Sequence, residues 1–214
     1  MTAASSATKD RLKGLYAITD ESLIAEEKFS ETIEAALRGG ASIIQYRDKS
    51  ANQAKRLQQA AMLRELCNRY DATCIINDDI ELAKAVAADG VHLGRDDTAI
   101  SSARQELGAD AIIGISCYDD IGLAVTAEQN SADYVAFGTM FSSPTKPDAV
   151  CAGPDTITQA RKQLNIPICA IGGINESNIL QLVNHHTDMA AVISSLFTAD
   201  DIQQRARLMS RHFI

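Results

Sequence analysis

No stretch of the 214-residue chain stays apolar for the ~20 residues that a membrane-spanning helix needs. The longest apolar run, 166–174, contains Pro167 and two glycines. No membrane partner is expected. Basic charge is in deficit: 20 Lys and Arg stand against 28 Asp and Glu, a net charge of −8. That balance argues against nucleic acid or an anionic membrane surface as the main partner, and it leaves room for a local basic pocket. Cysteine is sparse and odd in number. Cys67, Cys74, Cys117, Cys151 and Cys169 show no C-x-x-C spacing. This argues against a disulfide framework and a zinc site, and fits a reducing, cytoplasmic setting. Tryptophan is absent, and aromatic residues make up 5% of the chain. Residues 1–13 are polar and rich in Ala, Ser and Thr; without a hydrophobic h-region they read as a flexible N-terminal tail rather than a secretory signal.

What is present is a core and a rhythm. Apolar residues make up 46% of the chain and charged residues 22%, enough apolar content to bury a core. Eight short apolar runs recur, at 14–19, 42–47, 74–77, 91–93, 112–116, 134–138, 167–171 and 190–194. They are near-continuous rather than alternating, as suits strands of a parallel sheet buried on both faces. Helical spacing lies between them. Phe29, Ile33, Ala36 and Leu37 share one face, as do Leu63, Leu66, Cys67 and Tyr70, and Ile202, Ala206, Met209 and Phe213. Gly39-Gly40, Gly90 and Gly108 fall where helix stops are wanted. Strand ends recur at a mean spacing of about 25 residues, one strand plus one helix. The pattern predicts an α/β protein: a single (β/α)8 TIM barrel over 14–214. The rival, an open doubly wound sheet, usually has fewer strands, and no dinucleotide glycine fingerprint is present.

In such barrels the active site lies at the carboxyl ends of the strands. There the second run ends Gln45-Tyr46-Arg47-Asp48-Lys49, and alternation puts Gln45, Arg47 and Lys49 on one side. The third ends Asn77-Asp78-Asp79, and the fourth His92-Leu93-Gly94-Arg95-Asp96-Asp97. The fifth ends in Ser116, and the sixth leads into Ser143-Pro144-Thr145-Lys146. Arg47, Lys49 and Lys146 could bind phosphate oxygens. Carboxylates beside phosphates call for a hard divalent cation between them, so the set points to a diphosphate with Mg²⁺. Gly172-Gly173 after the seventh run suggests a second anion site near the seventh and eighth strands. Two phosphorylated ligands in one mouth would imply group transfer between them. Singly, each feature has a plainer reading. Asp78 with Glu81 fits a helix capping box as well as a metal ligand, and Asp97 fits an N-cap. Asp79 and Asp96 read first as caps, Arg47 and Lys49 as rim charges, and His92 as a hydrogen-bonded packing residue. Their shared rim is what favours the joint reading.

The segments Gly14-Leu15-Tyr16-Ala17-Ile18-Thr19, Gln45-Tyr46-Arg47-Asp48-Lys49, Ile76-Asn77-Asp78-Asp79, Asp89-Gly90-Val91-His92-Leu93-Gly94, Gly114-Ile115-Ser116, Ser143-Pro144-Thr145-Lys146 and Ile171-Gly172-Gly173-Ile174 appear in order over nearly the whole chain. Together they resemble the thiamine phosphate synthase family of transferases. The resemblance implies condensation of hydroxymethylpyrimidine diphosphate with a thiazole phosphate, giving thiamine phosphate and pyrophosphate. It implies that Gln45, Arg47, Lys49, Asn77, Ser116 and Lys146 line the pyrimidine-diphosphate pocket, with Arg47, Lys49 and Lys146 catalytic. It implies Asp78 and Asp97 as Mg²⁺ ligands. Ser143, Pro144, Thr145, Gly173, Ile193 and Ser194 fall at the thiazole-phosphate site. The family also suggests a homodimer, although no interface is legible. The rivals are a thiazole tautomerase relative, which needs no diphosphate pocket, and a non-catalytic phosphate sensor. The stretch 139–153 is the lid candidate.

Overall fold

The computed structural model describes residues 10–94, 100–142 and 152–213. Eight strands close into a barrel in chain order: β1 (Gly14–Ile18), β2 (Ala41–Tyr46), β3 (Thr73–Asn77), β4 (Gly90–Leu93), β5 (Ile112–Tyr118), β6 (Tyr134–Phe137), β7 (Ile168–Ile171) and β8 (Met189–Val192). Every neighbouring pair is parallel, and β1 closes on β8. Helices α1 (Phe29–Arg38), α2 (Gln53–Arg69), α3 (Ile80–Ala85), α4 (Ile100–Leu107), α5 (Ile121–Gln129), α6 (Pro154–Arg161) and α7 (Ile179–Asn184) fill the crossovers. The short α8 (Ser194–Phe197) and then α9 (Ile202–Ser210) follow β8. The (β/α)8 barrel is the architecture that the apolar runs predict.

Each strand is buried on both faces, and the two faces feed different cores. Tyr16, Ile18, Ile43, Ile75, Ile112 and Tyr134 fill the barrel's interior. Their neighbours Leu15, Ala17, Ile44, Tyr46, Cys74 and Ile76 pack outward against the helices. The predicted helix face Phe29, Ile33, Ala36 and Leu37 is buried. The four described cysteines, Cys67, Cys74, Cys117 and Cys169, are buried; Cys151 lies outside the described residues.

Several boundaries differ from the sequence reading: β5, for example, runs two residues past Ser116 to Tyr118. Leu12 is fully buried in the interior cluster, and Arg11 pairs with Asp89 at 2.8 Å, so the folded unit already includes residues ahead of Gly14. Gly90 is no helix stop: α3 ends at Ala85, and Gly90 opens β4, where a Cβ would lie 1.9 Å from the Ile112 carbonyl oxygen. β8 ends at Val192 because Ile193 turns to φ −125°, ψ −92°, and Ser194 opens α8.

The end of the barrel away from the strand termini is fastened by a repeated device. Asp89, Asp133 and Asp188 each precede an even-numbered strand. Each carboxylate accepts from the backbone N–H of the preceding odd strand: Cys74 at 2.7 Å, Ile113 at 2.8 Å and Ile168 at 2.7 Å. Each also pairs with an arginine from the helix before that odd strand, Arg64, Arg104 and Arg161 respectively. In these barrels this end serves stability, whereas the opposite mouth carries chemistry.

Candidate active site

At the mouth, β2 and β3 deliver the charged groups. Lys49 Nζ lies 2.6 Å from Asp78 Oδ2, and Asn77 Nδ2 donates to the same oxygen at 2.6 Å. Asp78 takes φ +61°, a conformation uncommon outside glycine that Asp tolerates better than most residues. It does not cap α3. Asp79 does, accepting from the Leu82 N–H at 2.9 Å and pairing with Arg56 at 2.6 Å. Asp79 is thus the cap, as its first reading has it; Asp78 does not form the alternative Asp78-x-x-Glu81 box and stays with Lys49 and Asn77. These three line a cavity of about 610 Å³ that also takes in Asp48, Arg56 and Glu81.

Arg47 is held across β1 and β2. Its guanidinium lies 3.5 Å from Asp20, and its backbone N–H and C=O both bond the Thr19 hydroxyl, at 2.8 and 2.9 Å. Beneath it Asp48 is buried against Lys55 at 2.9 Å. Burial would raise the Asp48 pKa, but its bonds to Ser50 and Lys55 outweigh burial and lower it.

A second cavity of about 560 Å³ lies over the ends of β5 to β8. Gly173, Ile193 and Ser194, expected at the thiazole-phosphate site, line it together with Ser116, which was expected in the pyrimidine-diphosphate pocket; no Asp, Glu, Lys or Arg is among its described lining residues. Gly172 and Gly173 take φ +101° and +66°; a Cβ on Gly173 would fall 2.4 Å from the Phe141 carbonyl oxygen. The Gly173 carbonyl accepts from Asn178 Nδ2 at 2.9 Å. Thr139, Asn175 and Tyr118 also line this cavity and were not predicted. Asn175 was the most legible of them, two residues beyond the glycine pair. Asp97, Ser143, Pro144, Thr145 and Lys146 lie outside the described residues, as does most of the candidate lid.

The sequence reading also missed a polar chain through the barrel. Gln45 is buried, and its Nε2 donates to the Tyr16 hydroxyl at 2.6 Å. Tyr16 and Tyr134 share a hydroxyl–hydroxyl bond of 2.8 Å. Tyr134 reaches His92 Nδ1 at 2.9 Å, and His92 Nε2 reaches Ser116 Oγ at 2.8 Å. Burial drives both tyrosine pKa values up. Burial drives the His92 pKa down from 6.5 to about 4, with the Asp78 charge opposing it weakly. His92 is therefore a neutral, fully engaged imidazole, as its packing role predicts. The signal for Tyr16 and Tyr134 was present: each is a hydroxyl at an inward position of an apolar strand.

The fold is a (β/α)8 barrel whose strand ends carry a charged cavity and a neutral one. The model of the thiamine monophosphate synthase family matches residues 15–196. The thiamine-phosphate synthase of Nitrosococcus oceani is 49% identical over 202 residues, covering 94% of this chain and 93% of that protein. That of Thioalkalivibrio sulfidiphilus is 47% identical over 206 residues, covering 96% and 98%. The solved thiamine phosphate pyrophosphorylase of Pyrococcus furiosus superposes with a TM-score of 0.87 at 35% identity, covering 96% of each chain. The chain belongs to the thiamine monophosphate synthase family, and so to the transferases. Among the described residues no helix is long and apolar enough to cross a membrane.

Proposed function

We propose that this enzyme condenses 4-amino-2-methyl-5-hydroxymethylpyrimidine diphosphate with a thiazole phosphate, releasing pyrophosphate and forming thiamine phosphate. The observation that carries the reading is the division of the mouth. One cavity bears Lys49, Asn77 and Asp78; a second has a described lining with no charged side chain and a glycine pair at positive φ. The first suits a diphosphate, and the second an aromatic ring with one phosphate.

In the reaction, the bond between the pyrimidine methylene carbon and the diphosphate oxygen breaks, and pyrophosphate leaves with the bonding pair. The thiazole nitrogen then donates its lone pair to the methylene cation. No proton is removed, so no general base is required, in keeping with a neutral His92 whose two ring nitrogens are both hydrogen-bonded. Lys49, Arg47 and Lys146 neutralise the departing charge, and Asn77 and Gln45 orient the pyrimidine. Mg²⁺ is held by one or two carboxylates together with substrate phosphates. Asp78 fits that donor set, and Asp97 would complete it. Among the described residues no three His, Cys, Asp or Glu side chains form an all-protein cage, an arrangement that Mg²⁺ bound through phosphates does not need. When bound, the ion supplies further neutralisation of the diphosphate. A cytoplasmic setting is part of this reading, in keeping with cysteines that are buried.

The test is to incubate the protein with both substrates, with Mg²⁺ and with EDTA. Equal amounts of pyrophosphate and thiamine phosphate, formed only with metal and both substrates, are expected. A folded protein that forms neither product would refute the assignment and turn attention to proton transfer on the thiazole phosphate.

A further inference from the structure

The chain Gln45–Tyr16–Tyr134–His92–Ser116 spans the barrel interior, and its direction can be worked out from one end. An amide nitrogen can only donate, so Gln45 Nε2 donates and the Tyr16 oxygen accepts. The remaining hydrogen-bond partner of Tyr16 is Tyr134, so the Tyr16 proton points there. The Tyr134 proton must then go to His92 Nδ1. That leaves the hydrogen of the neutral imidazole on Nε2, facing Ser116 Oγ. The reverse order would direct two donors at the Tyr16 oxygen and leave its own proton buried without an acceptor, at the cost of desolvation.

We propose that His92 is a positioning residue: as the Nε2–H tautomer it donates to Ser116 Oγ, committing the Ser116 hydroxyl proton to the ligand in the mouth. This rests on the reading of the neutral cavity, which Ser116 lines, as the thiazole-phosphate site. The proton order makes Ser116 an obligate donor toward anionic oxygen, where a freely rotating hydroxyl could present either a proton or a lone pair. It also links two walls of the mouth: Gln45 on β2 sets the proton order that Ser116 on β5 presents. Tyr16 and Tyr134 transmit that order from one wall to the other.

Two measurements test the inference. In protein labelled with ¹⁵N-histidine, the His92 signal, assigned as the one lost in His92→Gln, should show a protonated Nε2 and an unprotonated Nδ1 at neutral pH. Tyr134→Phe removes the donor to Nδ1 and should give a mixture of tautomers. A protonated Nδ1 in the unaltered protein would overturn the proposal. The second readout is the affinity for the thiazole phosphate, taken by calorimetry without the pyrimidine diphosphate so that no turnover occurs. Ser116→Ala and His92→Ala should each weaken binding about ten-fold, the loss of one hydrogen bond to a charged group. The double variant should be no weaker than Ser116→Ala. Multiplying losses in the double variant would mean that His92 does not act through Ser116. The spectrum decides the proton order whether or not the enzyme turns over. Failure of the unaltered protein to bind the thiazole phosphate would refute the functional reading instead.

Discussion

Lys49 and Asp78, on consecutive strand ends, meet at 2.6 Å over the charged cavity. Lys49 is about half exposed, and an ion pair so placed contributes only ~0–1 kcal/mol to stability. Its position therefore matters for ligand binding more than for folding. A diphosphate entering the cavity would compete with Asp78 for Lys49, and a hard cation would compete with Lys49 for Asp78. Lys49→Ala should leave the unfolding temperature nearly unchanged and lower kcat/KM by about a hundred-fold, the loss expected from removing one fixed donor to developing charge. A steady-state assay beside a thermal melt checks both halves.

Lys146 lies between Pro144 and Pro147, in the segment after β6. If it neutralises the leaving group, Lys146→Ala should reduce turnover far more than affinity for the thiazole phosphate. Equal losses in kcat and in that affinity would contradict the role.

Gly173→Val tests the neutral cavity. A Cβ there meets the Phe141 carbonyl oxygen at 2.4 Å, and φ +66° is unfavourable for a branched side chain. KM for the thiazole phosphate should rise by at least ten-fold, while affinity for the pyrimidine diphosphate, measured separately by calorimetry, should change little.

Asp133→Ala tests the opposite end of the barrel. It removes the acceptor for the Ile113 N–H and the partner of Arg104. A loss of about 2–3 kcal/mol is expected, seen as a fall of about 5–10 °C in Tm, with kcat preserved at a temperature where the variant is folded.

His92 also bears on stability against pH. Its folded pKa, about 4, lies below its ordinary value of 6.5. Between these two values the unfolded chain binds the proton and the folded protein does not. The contribution of His92 is therefore complete above about pH 6.5 and is lost as pH falls toward 4, a difference of about 3 kcal/mol. Denaturant titrations across that range should show a flatter decline for His92→Gln than for the unaltered protein.

The barrel was legible because its signal is repetitive: eight apolar runs, each followed by a helical face, are hard to read as anything else. The mouth was legible wherever a side chain follows its strand directly, as with Gln45, Lys49, Asn77 and Ser116. It was less legible where the backbone departs from the strand. Ile193 and Ser194 left β8 because of a turn in φ and ψ that no residue type announces. Asp79 was legible as the helix cap, but whether Asp78 also served as a cap was open in sequence; its positive φ takes it away from α3. The polar chain from Gln45 to Ser116 joins five residues on five strands, and strand pairing places them together where chain order does not. The segment His185-His186-Thr187-Asp188 lies at the end of the barrel opposite the mouth. There Asp188 is the third member of the aspartate–arginine device.

The central claim is that the charged cavity takes the diphosphate and the neutral one takes the thiazole phosphate. The most direct measurement is calorimetric binding of inorganic pyrophosphate with Mg²⁺ to the unaltered protein, to Lys49→Ala and to Gly173→Val. The account predicts binding that falls at least ten-fold in Lys49→Ala and is unchanged in Gly173→Val. Unchanged binding in Lys49→Ala, or a loss in Gly173→Val equal to or greater than that in Lys49→Ala, would contradict it.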